Sequence, residues 1–398
     1  MSDDRSPFPF TRPILMSRFA PLSVAAPVGL LFCGCTGAAA SPRPEVATIG
    51  PNPEPVVATQ PITIVGFTTT ELIEKFERAR SFLLAEEYAQ AAKAFDHLMR
   101  LASSREIASV SAFNAGLAHD HLGQHDVALE RFRGVWETYP EQDIALSALV
   151  HLTRVLGYLE RWREMGEAAD LLLDRPGLTV VQQIEGFGAR ALARIERGDQ
   201  DGARRAIGKA QRLIDQNGIG RAGSPPVQLA QVAFARGELL RLESEAIALT
   251  PVPPNFGAVL EARCQGLLDA QAAYVEAMRS RDAHWSAMSG YRVGQLYQRL
   301  HIEAMAIPAP DDASEDQQAL FVAAMRLRYR ILLEKGLKMM AATVRLGDRT
   351  GETSVWITRA REAEKSLERA LEDEKAALAR TPYTEAEIRA ALDKLKGT

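Results

Sequence analysis

The chain has 398 residues, a formal net charge of −4, and a composition that is 46% hydrophobic but only 7% aromatic. That length allows about one to three domains, and so many apolar residues with so few rings suit helices built on Ala and Leu. Acids and bases balance before residue 65 and acids exceed bases after it, so there is no basic field to collect phosphates, and nucleic acid is not an expected partner.

The first element in chain order is an apolar run. From Phe19 to Cys33 no side chain is charged, Arg18 precedes the run, and the small residues Thr36, Gly37, Ala38, Ala39 and Ala40 follow Cys35. Positive end, apolar middle and small-residue exit is the order of a secretory signal. A helix needs about 20 apolar residues to cross a bilayer core. This run is shorter and contains Pro21 and Pro27, so a signal peptide at 1–35, cut before Cys35, fits better than a permanent span. Asp3 and Asp4 are out of place in a positive leader, which makes Met16 a second candidate start.

Cys33 and Cys35 close the run, and one further cysteine, Cys264, follows in the helical pattern of LEARCQGLL. A zinc half-site separates its cysteines by two or more residues and needs partners at matching spacing. Cys-Gly-Cys has neither. Cys264 reads as a small core hydrophobe. Phe32-Cys33-Gly34-Cys35 resembles the lipobox of bacterial lipoproteins, with Phe32 standing where Leu, Val or Ile is more usual. The resemblance implies lipidation at Cys35 and a membrane partner reached through that anchor; plain secretion to the periplasm is the alternative. At about 0.8 kcal/mol per buried methylene, several acyl chains would hold a domain at a membrane without a protein span. Thr36 follows in place of the aspartate that marks inner-membrane retention in enterobacterial lipoproteins, so the expected location is the outer membrane, facing the periplasm.

Residues 36–64 are rich in proline (Pro42, Pro44, Pro51, Pro53, Pro55 and Pro61) and poor in large side chains. Such a segment buries too little surface to offset its ordering entropy and is expected to be a disordered, extended tether.

From residue 65 the pattern becomes helical. Thr68 and Glu71 have capping-box spacing, and apolar residues recur every three or four positions. Phe82, Tyr88, Ala91, Phe95 and Leu98 are followed by His119, His125, Ala128, Phe132 and Val135, the same spacings displaced by 37. The second copy, FNAGLAHDHLGQHDVALERFRGVWETYP, resembles the tetratricopeptide repeat (TPR). Gly116 and Ala128 stand where two helices approach, Gly123 where the chain turns, Phe132 where a large side chain fills the interface, and Pro140 where the second helix stops. A period near 34 residues is that family's mark. Fainter copies offer Trp162, Met165, Ala169 and Leu172, then Gly198, Ala203, Ile207 and Ala210, for four copies between about 70 and 218. Beyond them, Ser224 and Pro225 open a new helix. Helical periodicity covers 226–249, 257–281, 285–305, 314–346 and 353–380, with breaks at IPAPDD and GDRTG, and nothing reads as a strand. The expected fold is all-α: a TPR-like α-solenoid of stacked helical hairpins at 65–218, further helical repeats or a helical cap at 219–380, and a last helix or tail at 381–398.

In such a solenoid the first helices of successive pairs line an inner groove. The resemblance places Arg80, Asn114, Leu117, Asp120, His121, His151, Arg154 and Tyr158 on it, facing an extended peptide or a partner helix recognised by hydrogen bonds and charge. Each also reads as part of a solvated polar face. Asn114 holds a position used by TPR domains that grip a C-terminal carboxylate, but the first copy lacks the matching Lys and Asn. His119, His121 and His125 in HDHLGQH are dense enough to suggest a metal. However, His119 and His125 fall at packing positions and Gly123 separates them, so no metal is expected. Arg204, Arg205, Lys209 and Arg212, and likewise Arg326, Arg328 and Arg330, are basic clusters that could meet anionic lipid headgroups or acidic cell-wall polymers, but they read better as solvent faces interleaved with acids. His284, Trp285, Met288, Tyr291 and Leu296 read as core. The chain carries no His-Glu-x-x-His, no Gly-x-Ser-x-Gly and no phosphate-cradling loop. No catalytic residue, cofactor or small-molecule substrate is therefore expected. The function expected is a non-enzymatic, membrane-tethered scaffold for other cell-envelope proteins. The alternative is a peptidoglycan-acting enzyme that uses carboxylates of 226–380, with the repeats as an accessory.

Overall fold

A computed structural model describes residues 69–102, 104–220 and 225–396. The signal, Cys35, the proline-rich tether, Thr68 and Ser224 lie outside them. Among the described residues every regular element is a helix: α1 Thr69–Leu84, α2 Tyr88–Leu101, α3 Arg105–His121, α4 His125–Thr138, α5 Ile144–Tyr158, α6 Trp162–Leu173, α7 Val180–Glu196, α8 Gln200–Asn217, α9 Gln228–Glu245, α10 Phe256–Met278, α11 Ala283–Met305, α12 Glu315–Thr350, α13 Val355–Ala379 and α14 Glu385–Lys396. None of these is long and apolar enough to cross a membrane. They fall into two compact units. One comprises the residues up to 239 together with 279–284, the other 240–278 and 285 onward.

The first unit is built by repetition. Helices α1 to α8 form four hairpins in which each helix touches the next, and in addition α3 touches α5 and α5 touches α7. The same three places in each second helix are buried: Ala91, Phe95 and Leu98; Ala128, Phe132 and Val135; Met165, Ala169 and Leu172; Ala203, Ile207 and Ala210. Where the third copy loses the phenylalanine to Ala169, it gains Met165 in place of alanine, an exchange that keeps the local volume. Gly116 is required at the α3–α4 contact, since a Cβ there would lie 2.7 Å from the Phe132 ring.

Each hairpin also turns in the same way. Glu86, Gly123, Glu160 and Gly198 follow one another at 37 or 38 residues and all have positive φ, from 55° to 78°. Just past each, an N–H reaches back five residues: Glu87 to the Phe82 carbonyl, Gln124 to His119, Arg161 to Leu156 and Asp199 to Arg194, at 2.8–2.9 Å. This is the Schellman closure, which satisfies a carbonyl left over at the helix end. Glycine adopts the left-handed conformation without the Cβ clash that other residues suffer. We therefore expect Glu86→Gly to stabilise the chain by about 1 kcal/mol, glycine's own entropic cost being smaller than the relieved strain. A higher urea midpoint would register the gain, whereas an unchanged or lower one would show that the glutamate is not strained.

The second unit has no comparable repeat. Ser314 caps the 36-residue α12 through a capping box with Gln317, and Gly351, at φ 75°, ends it. The sequence suggested a turn from Gly347, but the helix continues four residues further. Gly347 serves instead as a close-packing point, since a Cβ there would lie 2.9 Å from Ile357. Leu333 and Met340 of α12 with Ala360 and Leu367 of α13 form a buried cluster, and Tyr291 packs on it. Trp285, Met288 and Leu296 are buried as expected. The fully buried Arg263 has Nε 3.0 Å from Glu303 Oε2 and Nη1 2.6 Å from Ser244 Oγ. Cys264 is half-buried, and burial pushes its thiol pKa up to about 11, so it stays protonated.

Candidate peptide-binding surface

The contacts of α3 with α5 and of α5 with α7 set the first helices of these hairpins in a row. Seven of the eight groove residues proposed from the sequence lie on α3 and α5; the eighth, Arg80, is on α1, half-buried and 3.2 Å from Glu77. On α3, Asn114 is buried, Leu117 and Asp120 are half-buried, and His121 is exposed with its ring stacked on Tyr88 at 4.4 Å. On α5, His151, Arg154 and Tyr158 are buried. These three were expected to face an open groove. They meet protein instead: Arg154 and Tyr158 have acquired partners that the repeat pattern does not specify, and His151 packs against Phe113 and Phe132.

Arg154 forms a two-pronged ion pair with Glu185 of α7, at 2.8 Å from Nε to Oε1 and 3.1 Å from Nη2 to Oε2. Burial opposes the charge on Arg154, but Glu185 outweighs it and raises the guanidinium pKa. A buried arginine can persist as a cation only when such a carboxylate meets it. His151 sits between the rings of Phe113, edge-on at 5.4 Å, and Phe132, stacked at 5.1 Å. Its pKa falls to about 3, first because of burial and then because of the Arg154 charge, so the ring is neutral.

Tyr158 donates from its hydroxyl to Asp282 at 3.1 Å. Burial, and after it the Asp282 charge, push the Tyr158 pKa well up, so the hydroxyl keeps its proton and remains a donor. Its ring lies 5.2 Å from His125 and 4.3 Å from His284. His125 Nδ1 is 2.9 Å from Asp120 Oδ1. Burial works against ionisation of Asp120, yet the hydrogen bond and charge of His125, together with Arg154, hold its pKa below the ordinary value.

A second polar junction lies one hairpin earlier. Asp96 of α2 accepts from Arg131 Nε of α4 at 2.8 Å and from His119 Nε2 of α3 at 3.1 Å. Burial again opposes ionisation and these two hydrogen bonds prevail, lowering the Asp96 pKa. His119 and His125 thus occupy packing positions while also holding carboxylates. No cluster suited to a metal ion occurs among the described residues. The arginine-rich stretches are interleaved with acids: Arg204 lies 2.7 Å from Asp201, Arg326 2.9 Å from Glu374 and Arg330 3.2 Å from Glu334.

Glu185, Asp282 and His284 supply the partners of Arg154 and Tyr158; Glu185 and His284 are buried, the latter as its core assignment predicts, and Glu185 and Asp282 were not singled out from the sequence. Glu185 carried no signal. His284 was assigned to the core, and nothing in the spacing links residue 282 to Tyr158.

No family model and no curated protein matches the chain. Among solved structures it is similar to a tetratricopeptide repeat protein from Parabacteroides merdae, at 11% identity over 73% of this chain and 99% of that one, with a TM-score of 0.39. A TPR repeats protein from Bacteroides fragilis is similar at 12% identity, over 75% and 98% of the two chains, with a TM-score of 0.27. The TPR2AB domain of yeast Sti1 in complex with pHSP90 is similar at 14% identity, over 78% and 99%, with a TM-score of 0.20.

Proposed function

We propose that this protein is a non-enzymatic scaffold whose repeat unit binds extended peptides or single helices of other proteins along the row of first helices. The observation that carries the reading is the row itself, with α3, α5 and α7 side by side and hydrogen-bonding and ring-bearing side chains gathered on two of them. A surface of this kind offers specific polar and stacking contacts to a chain laid across several repeats. The order of charge, apolar run and Cys35 supports a lipid anchor at the outer membrane, the tether that follows supports reach from it, and together they make other envelope proteins the natural partners.

Position-specific cross-linking tests the binding face. A photoreactive residue at Leu117 or His121 of the full chain should form adducts with other proteins, whereas one at the exposed Glu130 of α4 should not. Equal labelling at all three positions, or none at any, would remove the row from consideration. For the anchor, Cys35→Ser should move the protein out of the membrane fraction. A mature form that still begins upstream of residue 35 would rule the lipid out.

A further inference from the structure

The short stretch Arg279–His284 belongs to the repeat unit although it is remote from it in sequence. It meets the end of α5 at Tyr158 and the start of α4 at His125. Asp282 takes the Tyr158 hydroxyl hydrogen bond across 124 residues of chain. His284, two residues on, lays its ring against Tyr158 at 4.3 Å and edge-on to His125 at 5.8 Å and 83°. Between the end of α10 and Asp282 the backbone passes through Arg281 at φ 61°, a conformation that non-glycine residues adopt at a cost. The loop and the first turn of α11 thus place a carboxylate on a buried hydroxyl donor and then a flat ring on two others.

We propose that Arg279–His284 is a built-in occupant of the partner site, and that the site recognises an acidic residue followed two places later by an imidazole or aromatic ring. This rests on the peptide-binding reading above and specifies the ligand. The Tyr158 hydroxyl, held protonated, donates to the carboxylate. The faces of Tyr158 and His125 select the ring, because flat groups offset or edge-on to one another attract. Spacing selects the register: the ring follows the carboxylate by two residues, as His284 follows Asp282. A partner carrying the same pattern would displace the resident segment, whose tethering gives it an effective concentration of the order of millimolar. Any free peptide therefore binds only to the fraction of molecules in which the surface is vacated.

The test uses the full chain and a fluorescein-labelled peptide of this protein's own sequence, Met-Arg-Ser-Arg-Asp-Ala-His-Trp, with binding read by fluorescence anisotropy. The double variant Asp282→Ala/His284→Ala should bind it at least about ten-fold more tightly than wild type, because the competing segment has lost both contacts. Asp282→Asn, which alters only the charge, should give a smaller gain in the same direction. Adding Tyr158→Phe to the double variant should return binding to the wild-type level, and a labelled peptide with Ala in place of its Asp should bind weakly to every form. Far-UV circular dichroism verifies that each variant is folded; if the double variant is not, Asp282→Asn alone decides. Equal affinity of wild type and the opened variants, whether tight or weak, would overturn the proposal. Adducts at Leu117 would in that case leave the scaffold reading standing, with a different ligand pattern, whereas loss of both would remove the reading too.

Discussion

Arg154→Met should lower the stability of the folded chain by about 3–5 kcal/mol, the usual consequence of removing one partner from a buried ion pair. The loss comes mainly from what is left behind. Glu185 is 1% exposed, and without the guanidinium its carboxylate must stay charged in a poorly solvated place or take up a proton. The double variant Arg154→Met/Glu185→Leu should therefore recover most of the loss, since two apolar side chains of similar volume commonly match or exceed a buried pair. Urea denaturation of the four forms, followed by circular dichroism, measures the coupling directly. Additive losses in the double variant would mean that the two residues act independently, contrary to the geometry. The same reasoning makes Arg154 unsuitable for probing partner binding by charge reversal, because the fold would fail before the surface was tested.

Acid should weaken the protein through His151, and in a recognisable pH window. The folded-state pKa is about 3, below the ordinary 6.5, so folding favours the neutral ring. A group of this kind contributes fully above its unfolded pKa, and the contribution disappears as pH falls from 6.5 towards 3. At 1.36 kcal/mol per unit, the loss should be about 2 kcal/mol by pH 5 and about 4 kcal/mol by pH 3. Burial between Phe113 and Phe132 is the main cause. Arg154 and His121 add to it, and Asp120 opposes it. Asp120, whose own pKa is lowered, adds acid sensitivity only below about pH 5; burial also lowers the pKa of His121 and of His301, so the interval from 6.5 to 5 reports on His151 through comparison with a variant that lacks it. Stability curves at pH 7.5 and 5 should differ for wild type and differ much less for His151→Leu. Parallel behaviour of the two would show that the ring is not held neutral.

Much of the repeat unit was legible in the sequence because its core rests on period and size. Phe95 and Phe132, or Leu98 and Val135, stand at one spacing and are buried at one spacing. Gly123 and Gly198 announced two of the four turns, since glycine is the residue such a backbone prefers. Glu86 and Glu160 did not, because glutamate carries no preference for a left-handed turn and only the tertiary stacking around it imposes one. Polar pairing was hidden for a different reason. Arg154 finds Glu185 at a separation of 31 residues and Tyr158 finds Asp282 at 124, and neither distance is a multiple of the repeat. Arg154 and Tyr158, placed on an open face by their position alone, thus proved buried once their partners were known. In the second unit, GDRTG suggested a break at Gly347, yet the deciding fact was the approach of Ile357, which no local pattern encodes.

The identical closure of the four hairpins has an evolutionary corollary. A chain whose modules all finish on one backbone geometry presents interchangeable junctions, so recombination that duplicates or deletes a whole module leaves every remaining joint with a compatible neighbour. Gains and losses in whole modules change the length of the row of first helices, whereas a shift of even a few residues would desynchronise the joints and leave an unmatched helix end.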